Sequence, residues 1–294
     1  MSGWDIADIP DQTGRTIVVT GANSGLGKVT AGALARAGAQ VIMACRNEVK
    51  ARGVADEIGH GAQVRRLDLA DLTSVREFAD GVDTVDVLIN NAGIMAPPAG
   101  RTADGFETQF GTNHLGHFAL TGLLLDRVRE RVVTVSSGAH AAGKIDLADP
   151  NWERRKYQRW PAYGQSKLAN LMFAYELQRR LTAAGSAKLS VAAHPGYAAT
   201  GLQSHTDSFY DGLMAVGNRV FAQSAHMGAL PTLYAAVAPE VEPGGYYGPG
   251  GPLGLRGHPA SSGSTTASRD EVTARRLWEL SEQLTKVTFP FTRR

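Results

Sequence analysis

One cysteine, Cys45, stands in the 294 residues, so no internal disulfide can form and a reducing compartment is expected. No stretch approaches the ~18 consecutive apolar residues of a membrane span, and none is expected. The first fifteen residues carry Asp5, Asp8 and Asp11 around no apolar core, which does not suit a secretion signal; the expected location is cytoplasmic. Lys and Arg number 30 against 28 Asp and Glu, and no basic run is present that would track a phosphate backbone, so nucleic acid is excluded as a partner. The 8 histidines show no ligand spacing, and no metal is expected. There is also no low-complexity linker, fixed-period repeat or composition shift to divide the chain. The 34 glycines call for many tight turns, and the length suits one large α/β domain.

What is present is organised around residues 17–27, Ile-Val-Val-Thr-Gly-Ala-Asn-Ser-Gly-Leu-Gly. A β-branched run enters a turn with three glycines and feeds a helix-compatible stretch, 28–37. That arrangement aims backbone N–H groups and the positive end of a helix dipole at one point, which suits a pyrophosphate. Gly21, Gly25 and Gly27 are therefore the expected seat of a nucleotide; the plainer reading is a βα turn whose glycines only permit positive φ.

Downstream, Gly38 closes the first helix and 40–44 reads as a buried strand that ends at Cys45-Arg46. An acid at such a strand tip holds ribose hydroxyls, whereas an arginine accommodates a 2′-phosphate, so Arg46 favours NADP(H) over NAD(H). A helix near 47–58 and a strand at 64–67 lead to Asp68, either an adenine contact or an Asx or N-cap residue before a helix from Leu72. The strand 85–90 runs into Asn90-Asn91-Ala92-Gly93, and 107–125 has the spacing of one long half-buried helix. Asn113 within it is either a satisfied core amide or part of a site. The strand 131–135 delivers Ser136-Ser137, and the alternation of strands and helices predicts a parallel, doubly wound sheet.

A charged, tryptophan-containing excursion follows Ser137, and a helix then spans about 162–181. Tyr163 and Lys167 lie on one face of it, one turn apart. A phenol with a pKa near ~10 exchanges protons poorly at neutral pH, but a neighbouring ammonium favours the phenolate. A sixth strand is expected at 189–194. The stretch 201–224 is either a mobile lid over an apolar substrate or an ordinary surface helix. A short strand at Tyr246-Tyr247 sits among Gly- and Pro-rich turns; Ser268-Arg269-Asp270-Glu271 reads as a capping box for a C-terminal helix over 268–285 striped by Leu277, Leu280 and Leu284. His114 and His117 read as packing or capping residues.

Taken in order, Thr20-Gly21-x-x-x-Gly25-x-Gly27, Asn90-Asn91-Ala92-Gly93, Asn113, Ser137, Tyr163-x-x-x-Lys167 and Pro195-Gly196 with Thr200 resemble the classical short-chain dehydrogenases/reductases over about residues 13–255. The runs 112–118, 135–140 and 163–170 are similar to the retinol-dehydrogenase-like branch. The resemblance implies a single Rossmann domain over 1–294, about seven strands with helices on both faces, and an NADP(H)-dependent oxidoreductase acting on a carbonyl or alcohol. Tyr163 would be the general acid/base, Lys167 its pKa-lowering and ribose-binding partner, and Ser137, the second of its pair, the group that orients the carbonyl. Asn113 would hold a water in a proton relay. Gly21, Asn23, Ser24, Gly25, Leu26 and Gly27 would hold the pyrophosphate, Arg46 the 2′-phosphate, and Asp68 with Leu69 the adenine. Asn91, Ala92 and Gly93 would line the groove, with Pro195, Gly196 and Thr200 at the nicotinamide. By analogy the helices carrying Asn113 and Tyr163 would build a homodimer or homotetramer.

Two features depart from that pattern. The 26-residue interval from Ser137 to Tyr163 is long, and alanines follow Gly196 where bulkier residues are usual. Competing readings are a non-catalytic NADP-binding regulatory protein of the same fold, against which the full Asn-Ser-Tyr-Lys set counts, and a dehydratase or epimerase, whose glycines are usually spaced differently.

Overall fold

A computed structural model describes residues 3–59, 61–196 and 224–291. Thr200 and nearly all of the lid stretch lie outside the described residues. Eight strands form one sheet: β1 (Thr16–Thr20), β2 (Gln40–Cys45), β3 (Gln63–Arg66), β4 (Val85–Asn90), β5 (Val128–Val135), β6 (Leu189–Ala193), β7 (Tyr246–Pro249) and β8 (Pro259–Ser261). Their order is β3-β2-β1-β4-β5-β6-β7-β8, with every pair parallel except β7 with β8. The expected seven strands thus gain an eighth. It is three residues long, starts on a proline and lies antiparallel at an edge, where a missing N–H is tolerated, so nothing in its local pattern marks it.

Central strands such as β1 and β4 are buried on both faces, which is why they read as continuous apolar runs. On one face Ile17, Val19, Val41 and Met43 meet α1 (Gly25–Arg36), α2 (Glu48–Ile58) and a helix at Ala225–Val237, here α7. On the other, Val18, Ile42 and Leu88 meet α3 (Leu72–Asp80), α5 (Gly116–Leu124) and α6 (Arg159–Ala183). Helix α1 ends at Arg36, one residue before the expected stop, with Ala37 as cap and Gly38 at φ +101° just beyond it.

Two local expectations are corrected, and for Asp68 the Asx role is the one of its local alternatives that forms. The single helix over 107–125 is a one-turn α4 (Thr108–Phe110), a π-helical turn Gly111–Leu115 and then α5. The π turn and the start of α5 pack closely on their surroundings: a Cβ at Gly111 would strike Thr102 and one at Gly116 would strike Leu69 O. The helix after 68 is capped by Asp71, which accepts from Thr73 and Ser74, while Asp68 accepts from Ala70 N in a local turn. At the C-terminus, Asp270 caps α8 (Glu271–Thr285), accepting from Val272 and Thr273, and Ser268 is buried in the preceding 3-10 turn. The capping box one register earlier does not form.

Helix α8 packs on its own chain. Trp278, 2% exposed, meets Phe118 of α5 at 5.0 Å and Phe173 of α6 at 5.7 Å between ring centroids, and Arg180 lies over its face at 4.4 Å. His114 seals the inner end, with Nε2 2.9 Å from Ser281 Oγ and its ring stacked on Phe110.

Burial holds three histidines neutral: His114 is pushed down to about 3, and His117 and His194 to about 4. Their folded values lie below the unfolded value of about 6.5, so the unfolded chain binds more protons between the two. Stability is therefore complete above about pH 6.5 and falls as pH drops toward 4, by up to about 1.4 kcal/mol per pH unit for each ring. Thermal denaturation at pH 7.5 and pH 5 should show a clear loss of Tm at the lower pH, and equal midpoints would contradict the buried neutral state.

Candidate active site

The strand order reverses between β1 and β4, and the crevice at their carboxyl ends is where an open α/β sheet offers a ligand site. Beyond Thr20 the backbone turns through Gly21 at φ +67° and Gly25 at φ +52°, and α1 begins. Ser24 at its N-cap makes no side-chain capping bond, so the N-terminal N–H groups face the crevice without a protein anion. Gly27 has no room for a side chain, because a Cβ would meet Gly21 O and lie 2.6 Å from Asn91 Nδ2. Strand end, glycine turn and uncapped helix start form a cradle of the size and polarity of a pyrophosphate.

A cavity of about 200 Å³ runs from this cradle across the sheet edge. Gly21, Asn23, Ser24, Gly25, Leu26 and Gly27 form one wall, and Asn91, Ala92 and Gly93 the floor. Tyr163, Lys167 and Pro195 stand at the far end. Ile94, Val135 and Ser136 also line it and had not been expected there. Their positions directly after Gly93 and before Ser137 were the available signal. The floor is tied to β1: Thr20 Oγ1 accepts from the N–H groups of Asn91 and Ala92, each at 2.9 Å, and Asn91 Nδ2 donates to Thr20 O at 2.8 Å.

Helix α6 brings Tyr163 and Lys167 to the end of the cavity, both nearly buried. Ser137 caps the short 3-10 turn after β5, accepting from Ala139 N, and its hydroxyl is the side-chain group that opposes the effect of burial at the Tyr163 phenol. Ser136 instead donates to Lys167 O at 2.8 Å, so the two serines divide into one facing the phenol and one bracing α6. Asn113 is fully buried in the π-helical turn, where its amide clamps Ile94 through N–H to Oδ1 at 2.8 Å and Nδ2 to Ile94 O at 2.9 Å, and also donates to Ser166 Oγ at 3.0 Å. A Cβ at Gly93 would lie 3.3 Å from both Asn113 Oδ1 and Lys167 Nζ, which shows how closely the floor, the π turn and α6 meet.

The electrostatics differ from the sequence argument. Burial raises the Tyr163 phenol above its ordinary value, opposed by the Ser137 hydrogen bond. Lys167, desolvated in turn, is pushed down to about 8. Its Nζ donates to Val135 O at 3.2 Å and sits 5.8 Å from the Tyr163 ring centroid. The lysine stays mostly charged at neutral pH, and at the phenol desolvation is the dominant cause. Arg46 is exposed just past β2, Asp68 is partly buried past β3, and Leu69 packs beneath Gly116; none of them, nor Gly196, lines the cavity.

A doubly wound parallel sheet, a glycine cradle at its switch point and a buried Tyr-Lys pair at the end of the same groove define an α/β protein of the Rossmann type. The family model for short chain dehydrogenase matches residues 15–211. Human (Homo sapiens) retinol dehydrogenase 13 is 43% identical over 299 residues, covering 95% of this chain and 87% of its own. The crystal structure of an uncharacterised protein from Mycobacterium paratuberculosis superposes with a TM-score of 0.87 at 53% identity, over 98% of this chain and 100% of that one. A structure from Beutenbergia cavernae, described as an NAD(P)-dependent gluconate 5-dehydrogenase with NADP bound at low occupancy, is 27% identical over 81% of this chain and 96% of its own, with a TM-score of 0.61. The chain belongs to the short-chain dehydrogenase/reductase family, in its retinol-dehydrogenase-like branch, and is an oxidoreductase acting on CH–OH/C=O groups. Among the described residues no helix is long and apolar enough to cross a membrane.

Proposed function

We propose that the chain moves a hydride between the nicotinamide of NADP(H) and the carbonyl or alcohol carbon of an apolar small molecule, with Tyr163 as general acid/base. The observation that carries this reading is that Tyr163, where the Ser137 hydroxyl opposes the effect of burial on the phenol, lines the same groove as the glycine cradle. The cradle fits a dinucleotide, since Gly27 leaves no space for a side chain and Ser24 leaves the α1 N-terminus uncapped. Gly21, Asn23, Ser24, Gly25, Leu26 and Gly27 hold the pyrophosphate; Asn91, Ala92 and Gly93 support the ribose and ring. Asp68 and Leu69 serve the adenine, and Pro195, Gly196 and Thr200 the nicotinamide end. When bound, the nicotinamide supplies or accepts the hydride.

The protein's own part is positional and protonic. Ser137 donates to the substrate oxygen and fixes the carbonyl; Tyr163 Oη gives that oxygen a proton in reduction and takes it back in oxidation. Lys167 keeps positive charge beside the phenol and binds ribose hydroxyls. Asn113 fixes Ile94 against the floor and holds a water for proton supply. An assay of aldehydes, ketones and alcohols, followed by absorbance of the reduced nucleotide, tests the reading; no turnover of any of them with either nucleotide refutes it.

Arg46, at the tip of β2, supports the choice of NADP(H) by charge complementarity with a 2′-phosphate. Arg46→Ala should weaken NADPH binding about tenfold or more, the worth of one charge-assisted hydrogen bond, and leave NADH binding unchanged. Equal losses for both nucleotides in a fluorescence titration would remove the basis for this preference. A homodimer or homotetramer through the helices carrying Asn113 and Tyr163 is part of the proposal by analogy, and Trp278 of α8 packs on those same helices.

A further inference from the structure

Beneath the groove lies a buried imidazole with no place in the mechanism above. His117, 1% exposed in α5, sets Nε2 2.9 Å from Thr20 Oγ1 and Nδ1 3.0 Å from the backbone O of Asn113. Hydrogen counting fixes which nitrogen carries the proton. Thr20 Oγ1 accepts from the N–H groups of Asn91 and Ala92, which uses both its lone pairs. Its single proton must then go outward, and His117 Nε2 at 2.9 Å is a better acceptor than Ile89 O at 3.4 Å. Nε2 is therefore bare, and Nδ1 carries the hydrogen donated to Asn113 O. Burial, reinforced by the charge of Lys167 facing it from α6, keeps the ring from taking a second proton; His114, on the same helical stretch, is neutral as well.

The two ends of this ring meet two working parts of the site. On the Nε2 side, Thr20 holds the Asn91-Ala92 floor of the groove. On the Nδ1 side, Asn113 stands in a π-helical turn, a geometry that departs from the regular i→i−4 ladder, and its side chain clamps Ile94 beside Gly93 and Lys167. We infer that His117 is a positioning residue that couples the floor of the nucleotide groove to the π-helical turn bearing Asn113, through the two nitrogens of one neutral ring. The packing role expected from sequence is thereby replaced by a directional one. Phenylalanine would fill the same volume but make neither bond, leaving the Thr20 hydroxyl and the Asn113 carbonyl short of partners.

This inference rests on the NADP(H) oxidoreductase reading, and its test separates the two. Asparagine places an amide N–H near the position of Nδ1, to donate to Asn113 O, and glutamine can set its amide oxygen near that of Nε2, to accept from Thr20 Oγ1, so each retains one half of the link. His117→Gln is expected to lower kcat about tenfold, the size of one buried hydrogen bond, with NADPH affinity by fluorescence titration little changed. His117→Asn should keep kcat close to the parent and weaken NADPH binding. His117→Phe should lose both. Parallel loss of kcat and affinity in the Asn and Gln variants, or parent-like values in the Phe variant, overturns the coupling. Retention of turnover by Tyr163→Phe in the same assay would instead sink the acid/base reading and leave the binding split readable. If the ring substitutions do not fold, NMR of the parent protein with isotope-labelled histidine decides: a Nδ1–H tautomer at His117 between pH 5 and 8 is expected, and a Nε2–H tautomer or a titration near 6.5 overturns it.

Discussion

Tyr163→Phe is expected to lower kcat by about a hundred- to ten-thousandfold, the range for loss of a positioned general acid/base, while NADPH affinity and Tm stay close to the parent values. The substitution removes one oxygen and leaves the ring, which packs edge-to-face on Trp160 at 6.2 Å between centroids. The phenol is almost wholly buried, and its hydroxyl partner Ser137 is partly exposed, so Ser137 can turn to water once the oxygen is gone. The cradle residues of α1 and the floor residues of β4 are untouched, which is why binding should survive. Stopped-flow or steady-state absorbance of the reduced nucleotide measures the effect. Turnover within about threefold of the parent, well short of the expected loss, would falsify the role of Tyr163 and return the regulatory, non-catalytic reading to first place.

The second large effect is on stability. Trp278→Ala should cost about 3–5 kcal/mol, the range for truncating a large buried aromatic to alanine, and lower Tm by several degrees. Trp278 is the contact through which α8 reaches Phe118, Phe173 and Phe289, with centroid separations from 4.4 to 5.7 Å, and it carries the Arg180 guanidinium on its face. Its removal leaves a cavity that those rings cannot close without shifting α5 or α6. Because α6 bears Tyr163 and Lys167, activity at temperatures near the new midpoint should fall with the fraction unfolded. A Tm within a degree of the parent would mean that α8 contributes little to holding the two helices. Size-exclusion chromatography of the same variant reads whether exposing this aromatic cluster creates a new contact between copies of the chain.

The order of elements and the chemistry carried by each were legible because both are local. The Thr20-to-Gly27 turn is signalled by a β-branched strand followed by glycines that permit positive φ, and Tyr163 and Lys167 share a face because they lie four residues apart on a helix. What stayed hidden is set by packing and pairing rather than by spacing along one element. The π turn at Gly111–Leu115 packs against Thr102, β8 forms by pairing with β7, and the α8 cap follows a 3-10 turn that buries Ser268. The role of His117 needed the positions of Thr20, 97 residues away in sequence, and of the Asn113 carbonyl at once.

By itself the sequence determined a doubly wound sheet, a nucleotide cradle after β1 and a tyrosine one turn before a lysine on α6. Each follows from spacing along one element. The tertiary structure decided which of Ser136 and Ser137 meets the phenol, that Asn113 clamps Ile94, and that burial raises Tyr163 and lowers Lys167 to about 8. The reason is that desolvation and hydrogen-bond partnership depend on what packs around a group, and that environment is assembled from different elements of the chain, as where Asn113 meets Ile94 and Ser136 meets Lys167.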